Sequence, residues 1–114
     1  MRTRILAFFI VFAWSAPAVA APTCGNAPSH ASERACWTKA AKDSAARVRA
    51  AQDAQRQRIS RWDQDPPYRS RSLALFDEAA NGFARFRQEQ CNYEASAAAG
   101  GNGAGDMRLS CQSP

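Results

Sequence analysis

The sequence predicts an all-α fold: an antiparallel two-helix hairpin plus a short C-terminal helical turn, stabilised by disulfides. Three observations carry this. Residues 29–65 contain no Gly or Pro and are rich in alanine, a strong helix former. Bulky and small residues recur at steps of three and four on both sides of Asp65-Pro66-Pro67. Four cysteines, Cys24, Cys36, Cys91 and Cys111, flank the two helical segments.

The chain opens with Met1-Arg2-Thr3-Arg4, a short positive stretch, followed by ten apolar residues from Ile5 to Trp14. That run is too short to span a bilayer as a helix. Pro17 breaks it, and Ala18-Val19-Ala20 supplies the small residues a signal peptidase requires. Residues 1–20 are therefore expected to be a signal peptide, cleaved near Ala20, and residues 21–114 a single domain. Four cysteines behind an export signal read as a disulfide framework of the periplasm or exterior.

Without residues 1–20 the basic residues number 13 against 10 acidic ones, a net charge of +3. That balance is mild, and with export it argues against nucleic acid as a partner. Eleven of the 13 are Arg. Only eight Leu, Ile, Val or Phe remain in this part, far below ordinary globular usage. The core must be thin, so each disulfide, at about 3 kcal/mol for loops of this size, decides whether the domain folds.

Residues 21–28 hold Pro22, Gly25 and Pro28 and read as an extended lead-in. A first helix starts near Ser29, with Glu33 close to the positive end of its dipole. Its inward stripe is Trp37, Ala41, Ala45, Val48, Gln52, Gln55, Ile59 and Trp62. Asp65-Pro66-Pro67 ends it, since proline lacks the amide donor and pushes Asp65 out of the α region. A second helix is expected from Ser70 or Ser72, with Leu73, Phe76, Ala80, Phe83, Phe86 or Arg87, Gln90 and Tyr93 inward. Gly82 weakens it but permits close packing. Gly100-Gly101 ends it, and Asp106 can cap a final turn carrying Met107, Leu109 and Cys111.

The two arms are of similar length, which brings Cys36 and Cys91 within roughly 8 Å along the axis. All four cysteines then gather at the end opposite the Pro-Pro turn. Cys24–Cys36 and Cys91–Cys111 are the expected pairs, each being close in sequence and joined through Pro or Gly; crossed pairings stay open.

The segment Phe83-Ala84-Arg85-Phe86-Arg87-Gln88-Glu89-Gln90-Cys91 resembles the aromatic-x-x-aromatic-Arg-x-x-x-Cys segment of the lysozyme inhibitor LprI-like N-terminal family of small secreted bacterial proteins. The likeness extends to the early pair Cys24 and Cys36, the long helix, Glu94 after the third cysteine, and Gly100-Gly101 leading to Cys111. Phe83 and Phe86 stand where the family usually has Trp and Tyr, and the family's helix beyond the fourth cysteine has no counterpart here. The resemblance implies lysozyme inhibition as an activity and Phe83, Phe86 and Arg87 as signature positions with a structural role. Arg87 is expected to pair with a carboxylate or cap backbone carbonyls.

Residues 47–71 carry seven Arg against three Asp. Arg56, Arg58, Arg61 and Arg69 form a candidate anion-binding tip beside Trp62 and Tyr68, because guanidinium forks suit carboxylates and phosphates. A solvated helix face is the plainer reading of the same charges. His30, the sole histidine, cannot build a zinc site alone. No nucleophile–base arrangement, phosphate loop or metal motif is present in the sequence. The expectation is an exported, non-enzymatic binding protein of the bacterial envelope without cofactor or metal. Its partners would be lysozyme, another protein or an anionic envelope component such as a glycolipid. Neither a membrane span nor an oligomeric state is indicated.

Overall fold

The computed structural model describes residues 22–113. The expected signal peptide lies outside the described residues. A 3-10 turn, Cys24–Asn26, precedes three helices: α1 (His30–Ser60), α2 (Pro66–Ser96) and α3 (Ala104–Cys111). No strand is present among the described residues.

α1 begins where the sequence places it. Ser29 is its N-cap: the Ser32 amide donates to the Ser29 hydroxyl at 3.2 Å, and the Ser29 amide donates to the Ser32 hydroxyl at 3.1 Å. This is a capping box with Ser in place of the usual Glu. Glu33 lies in the first turn and accepts from the Trp37 indole at 3.4 Å. At the other end Arg61 is the C-cap, and the Gln57 carbonyl takes the Arg61 amide, the Arg61 Nε and the Ser60 hydroxyl. Three donors converge there because the last carbonyls of a helix have no partner inside it.

α2 starts earlier than Ser70 or Ser72. Pro66 and Pro67 occupy its first two positions, with Asp65 extended before them (ψ 145°). By sequence alone the pair is only a terminator. A proline in the first turn forfeits no hydrogen bond, and its fixed φ suits the helix, so the same residues stop α1 and launch α2. The other end also differs: helix stops at Ser96, and a turn fills 97–100, with Ala99 (φ 48°) and Gly100 (φ 80°) in the left-handed region. Asp106 is not a cap either. Gly103 holds that place in α3, and Asp106 sits in the first turn, where a carboxylate also meets the positive end of the dipole.

The disulfides are Cys24–Cys36, tying the 3-10 turn to α1, and Cys91–Cys111, tying α2 to α3. Among the described residues no cysteine is free. The core is as thin as the composition requires. Among the described residues the buried ones are Cys24, Ser44, Cys91, Ala95 and Ser113, so sulfur and small side chains take the place of a leucine-rich interior. The α1 stripe from Trp37 to Ile59 is half-buried throughout, whereas Trp62, past the end of α1, is exposed. On α2, Leu73, Phe76, Ala80, Arg87 and Gln90 are half-buried, but Phe83, Phe86 and Tyr93 are exposed. Of the alternatives Phe86 and Arg87, Arg87 is the one turned inward.

Polar contacts link the helices where apolar packing is scarce. Arg56 Nε of α1 donates to Asp77 of α2 at 2.7 Å. Arg34 Nε of α1 donates to Asp106 of α3 at 2.8 Å, and His30 lies 3.4 Å from the same carboxylate. Arg108 Nε of α3 donates to the Asn92 side-chain oxygen of α2 at 2.7 Å.

Candidate functional site

In the segment joining α1 and α2, cationic and aromatic groups stand exposed together. Residues 61–68 are all exposed, Trp62 at 47% and Tyr68 at 61% of their full accessible surface. Arg58, in the last turn of α1, is exposed and makes no ion pair with the described residues. Its charge is favoured there by the negative end of the α1 dipole. Arg61 spends its Nε on the Gln57 carbonyl at 3.2 Å, which fixes the root of the side chain. Arg69, half-buried in the first turns of α2, reaches back to the Trp62 carbonyl at 3.5 Å. Asp63 and Asp65 lie in the same segment and offset part of the charge.

Arg56 differs from these three in its partners. Its guanidinium holds Asp77 at 2.7 Å and Asp53 at 2.9 Å and lies 5.6 Å from the Phe76 ring centroid. The Asp77 hydrogen bond, with Asp53 behind it, raises the Arg56 pKa above its ordinary value. A guanidinium already taken by two carboxylates has little left for an anionic ligand, so Arg56 acts as a brace between α1 and α2. The spacing placed it with Arg58 and Arg61; the carboxylate that claims it comes from the other helix, which spacing within one segment does not reveal.

A concavity of about 350 Å³ lies between the three helices. Ala41, Ala45 and Ala84 line it together with Arg87, Asn92 and Arg108. Arg87 donates to the carbonyl of Gln112, the C-cap of α3, at 2.9 Å, and lies 5.8 Å from the Phe83 ring centroid. Arg87 thus closes α3 onto α2 in parallel with the Cys91–Cys111 disulfide. Phe83 also lines an apolar groove of about 290 Å³ with Val48, Gln52, Gln55 and Phe76, while Phe86 is 60% exposed and lines neither concavity. Nothing in the sequence singles out Arg108 beyond its place three residues before Cys111.

No group of three or more His, Cys, Asp or Glu that could hold a metal ion occurs among the described residues. His30 is exposed and pairs with Asp106. No family model, curated protein or solved structure matches the chain.

Proposed function

We propose that the chain is a small exported protein of the bacterial envelope that acts by binding, and that Arg58, Arg61 and Arg69 at the α1–α2 junction are its contact with anionic groups. In this reading the protein is periplasmic or secreted after cleavage near Ala20. The two disulfides support an oxidising compartment, and among the described residues no helix is long and apolar enough to cross a membrane.

The reading further takes α1 and α2 as an antiparallel hairpin. Arg56 pairs with Asp77, whereas Ala41 shares a groove with Ala84, so partners in α2 rise in number as those in α1 fall. Cys36 and Arg58 stand about 33 Å apart along α1 at about 1.5 Å per residue. The junction is then a tip remote from both disulfides, free to meet a partner without disturbing what holds the fold.

The observation that carries the proposal is the gathering of the exposed Arg58 and Arg61 and the half-buried Arg69 in the segment that also exposes Trp62 and Tyr68. Forked donors grip carboxylates and phosphates, and the rings supply area that such ligands' sugars or side chains can cover. The partner class is an anionic glycolipid or an acidic protein surface. Lysozyme inhibition, the activity implied by the resemblance at Phe83–Cys91, is the second reading: a protruding arginine tip suits a cleft with two carboxylates.

Replacing Arg58, Arg61 and Arg69 by Gln is the test, with Arg56 left intact because it braces the helices. Binding to vesicles carrying an anionic glycolipid, and its fall as salt rises, should be lost while helicity stays unchanged. Salt-insensitive binding that survives the triple substitution overturns the tip assignment. Lysozyme inhibition that survives it places that activity elsewhere on the molecule.

A further inference from the structure

α2 carries a second exposed surface, which meets the arginine tip only at Tyr68. Tyr68, Leu75, Phe86 and Tyr93 are 61%, 56%, 60% and 74% exposed. With Ala79 and Gly82 they fall within a sector of about 60° at about 100° per residue. Arg87, Cys91 and Asn92, which engage α3, lie more than about 100° round the helix from that sector's centre. So does Asp77, which engages α1. Neither neighbouring helix covers the stripe.

Its spacing reads the same in both directions. From Tyr68 to Leu75, Ala79, Gly82, Phe86 and Tyr93 the steps are 7, 4, 3, 4 and 7. The pairs Tyr68/Tyr93, Leu75/Phe86 and Ala79/Gly82 share one midpoint, between Ala80 and Asn81. The charges along one flank follow the same symmetry with opposite sign: Arg71 mirrors Glu89, and Glu78 mirrors Arg85, each within about a residue of that midpoint. All four are exposed, and none makes an ion pair with the described residues.

We propose that this face of α2 binds a second copy of the chain, antiparallel, about a two-fold axis at the Ala80–Asn81 midpoint. A two-fold interface must be self-complementary, each residue meeting its mirror position on the partner. For antiparallel helices the same flank faces itself with its direction reversed. Tyr68 then meets the second copy's Tyr93, Leu75 meets Phe86, Arg71 meets Glu89 and Glu78 meets Arg85. The small Ala79 and Gly82 fall at the crossing, where helix axes come closest.

Gly82 has no other explanation in the fold. A Cβ built there meets nothing within 4 Å in the single chain, yet glycine weakens a helix interior relative to alanine. Close approach of another backbone is what a glycine at that position permits.

The test is sedimentation equilibrium of the full chain, exported and recovered oxidised. A concentration-dependent dimer is expected. Leu75→Glu should abolish it, and Gly82→Gln should weaken it, both without loss of helical circular dichroism. Glu78→Arg and Arg85→Glu should each weaken the dimer by about tenfold through two symmetric like-charge contacts. Together they should restore it, because the swapped charges again oppose. A chain monomeric at every concentration overturns the proposal, as does a dimer indifferent to Leu75→Glu or not restored by the swap. A monomer that sediments with neutral lipid vesicles through Leu75 and Phe86 also overturns it, and gives the stripe to a bilayer surface.

Discussion

Arg34 and Asp106 lie 72 positions apart and meet at 2.8 Å. The Asp106 carboxylate is mostly buried, with 13% of the side chain accessible, and His30 approaches its other oxygen at 3.4 Å. One acidic group therefore ties the first turns of α1 to the first turn of α3 and also sits at the positive end of the α3 dipole. Asp106→Ala should lower the unfolding free energy by about 1–2 kcal/mol in urea titration. Removing Arg34 as well should cost little more, because the pair is already broken. Additive single losses in that cycle would contradict the linkage.

Arg56 should matter to stability more than its position on a long polar helix suggests. It bridges Asp53 and Asp77 and packs near Phe76, but the guanidinium is more than a third exposed, so screening limits the effect. Arg56→Ala should lower the denaturation midpoint measurably, and Arg58→Ala should leave it close to unchanged. Arg56→Lys should recover only part of the loss, since an ammonium cannot fork to two carboxylates. Chemical denaturation of the three variants side by side reads the order directly.

Phe83→Ala should be milder than a core deletion. A buried phenylalanine costs about 3–5 kcal/mol on truncation, but Phe83 is 49% exposed and loses only its contacts along the groove and with Arg87. A loss of about 1–2 kcal/mol is expected in thermal or urea unfolding. A value in the core range would mean that the ring is covered in solution.

Ala99 holds φ 48°, a conformation that suits glycine, and Gly100 follows at φ 80°. Ala99→Gly should stabilise the chain by up to about 1 kcal/mol, and Gly100→Ala should destabilise it by a similar amount. Equal melting temperatures for both variants would show that the α2–α3 turn does not hold these angles in solution.

Much of the helical layout was legible in the residues. Ser29 as a cap, the half-buried run from Trp37 to Ile59 and the nearest-neighbour cysteine pairs all follow from local chemistry and short separations. The start of α2 was missed because proline has two opposite meanings, stop and start, and only the geometry of Asp65 separates them. Phe83, Phe86 and Tyr93 were read as core because their spacing is helical. Spacing groups residues on a face but does not say whether a partner covers that face: Phe83 borders the groove against α1 yet stays half open, and Phe86 and Tyr93 are left uncovered. The roles of Arg56 and Arg108 rest on acceptors contributed by another helix, which no local pattern displays.

The interior of sulfur and small side chains has a thermodynamic consequence. Unfolding this chain exposes little apolar surface that was hidden before, so the heat-capacity increment per residue should fall below the usual figure of about 12–15 cal/mol/K. The stability curve is then shallow and broad, with warm and cold transitions pushed apart. The same scarcity lowers the denaturant dependence, since the slope follows newly exposed area. A protein built this way holds its modest stability over a wide span of temperature.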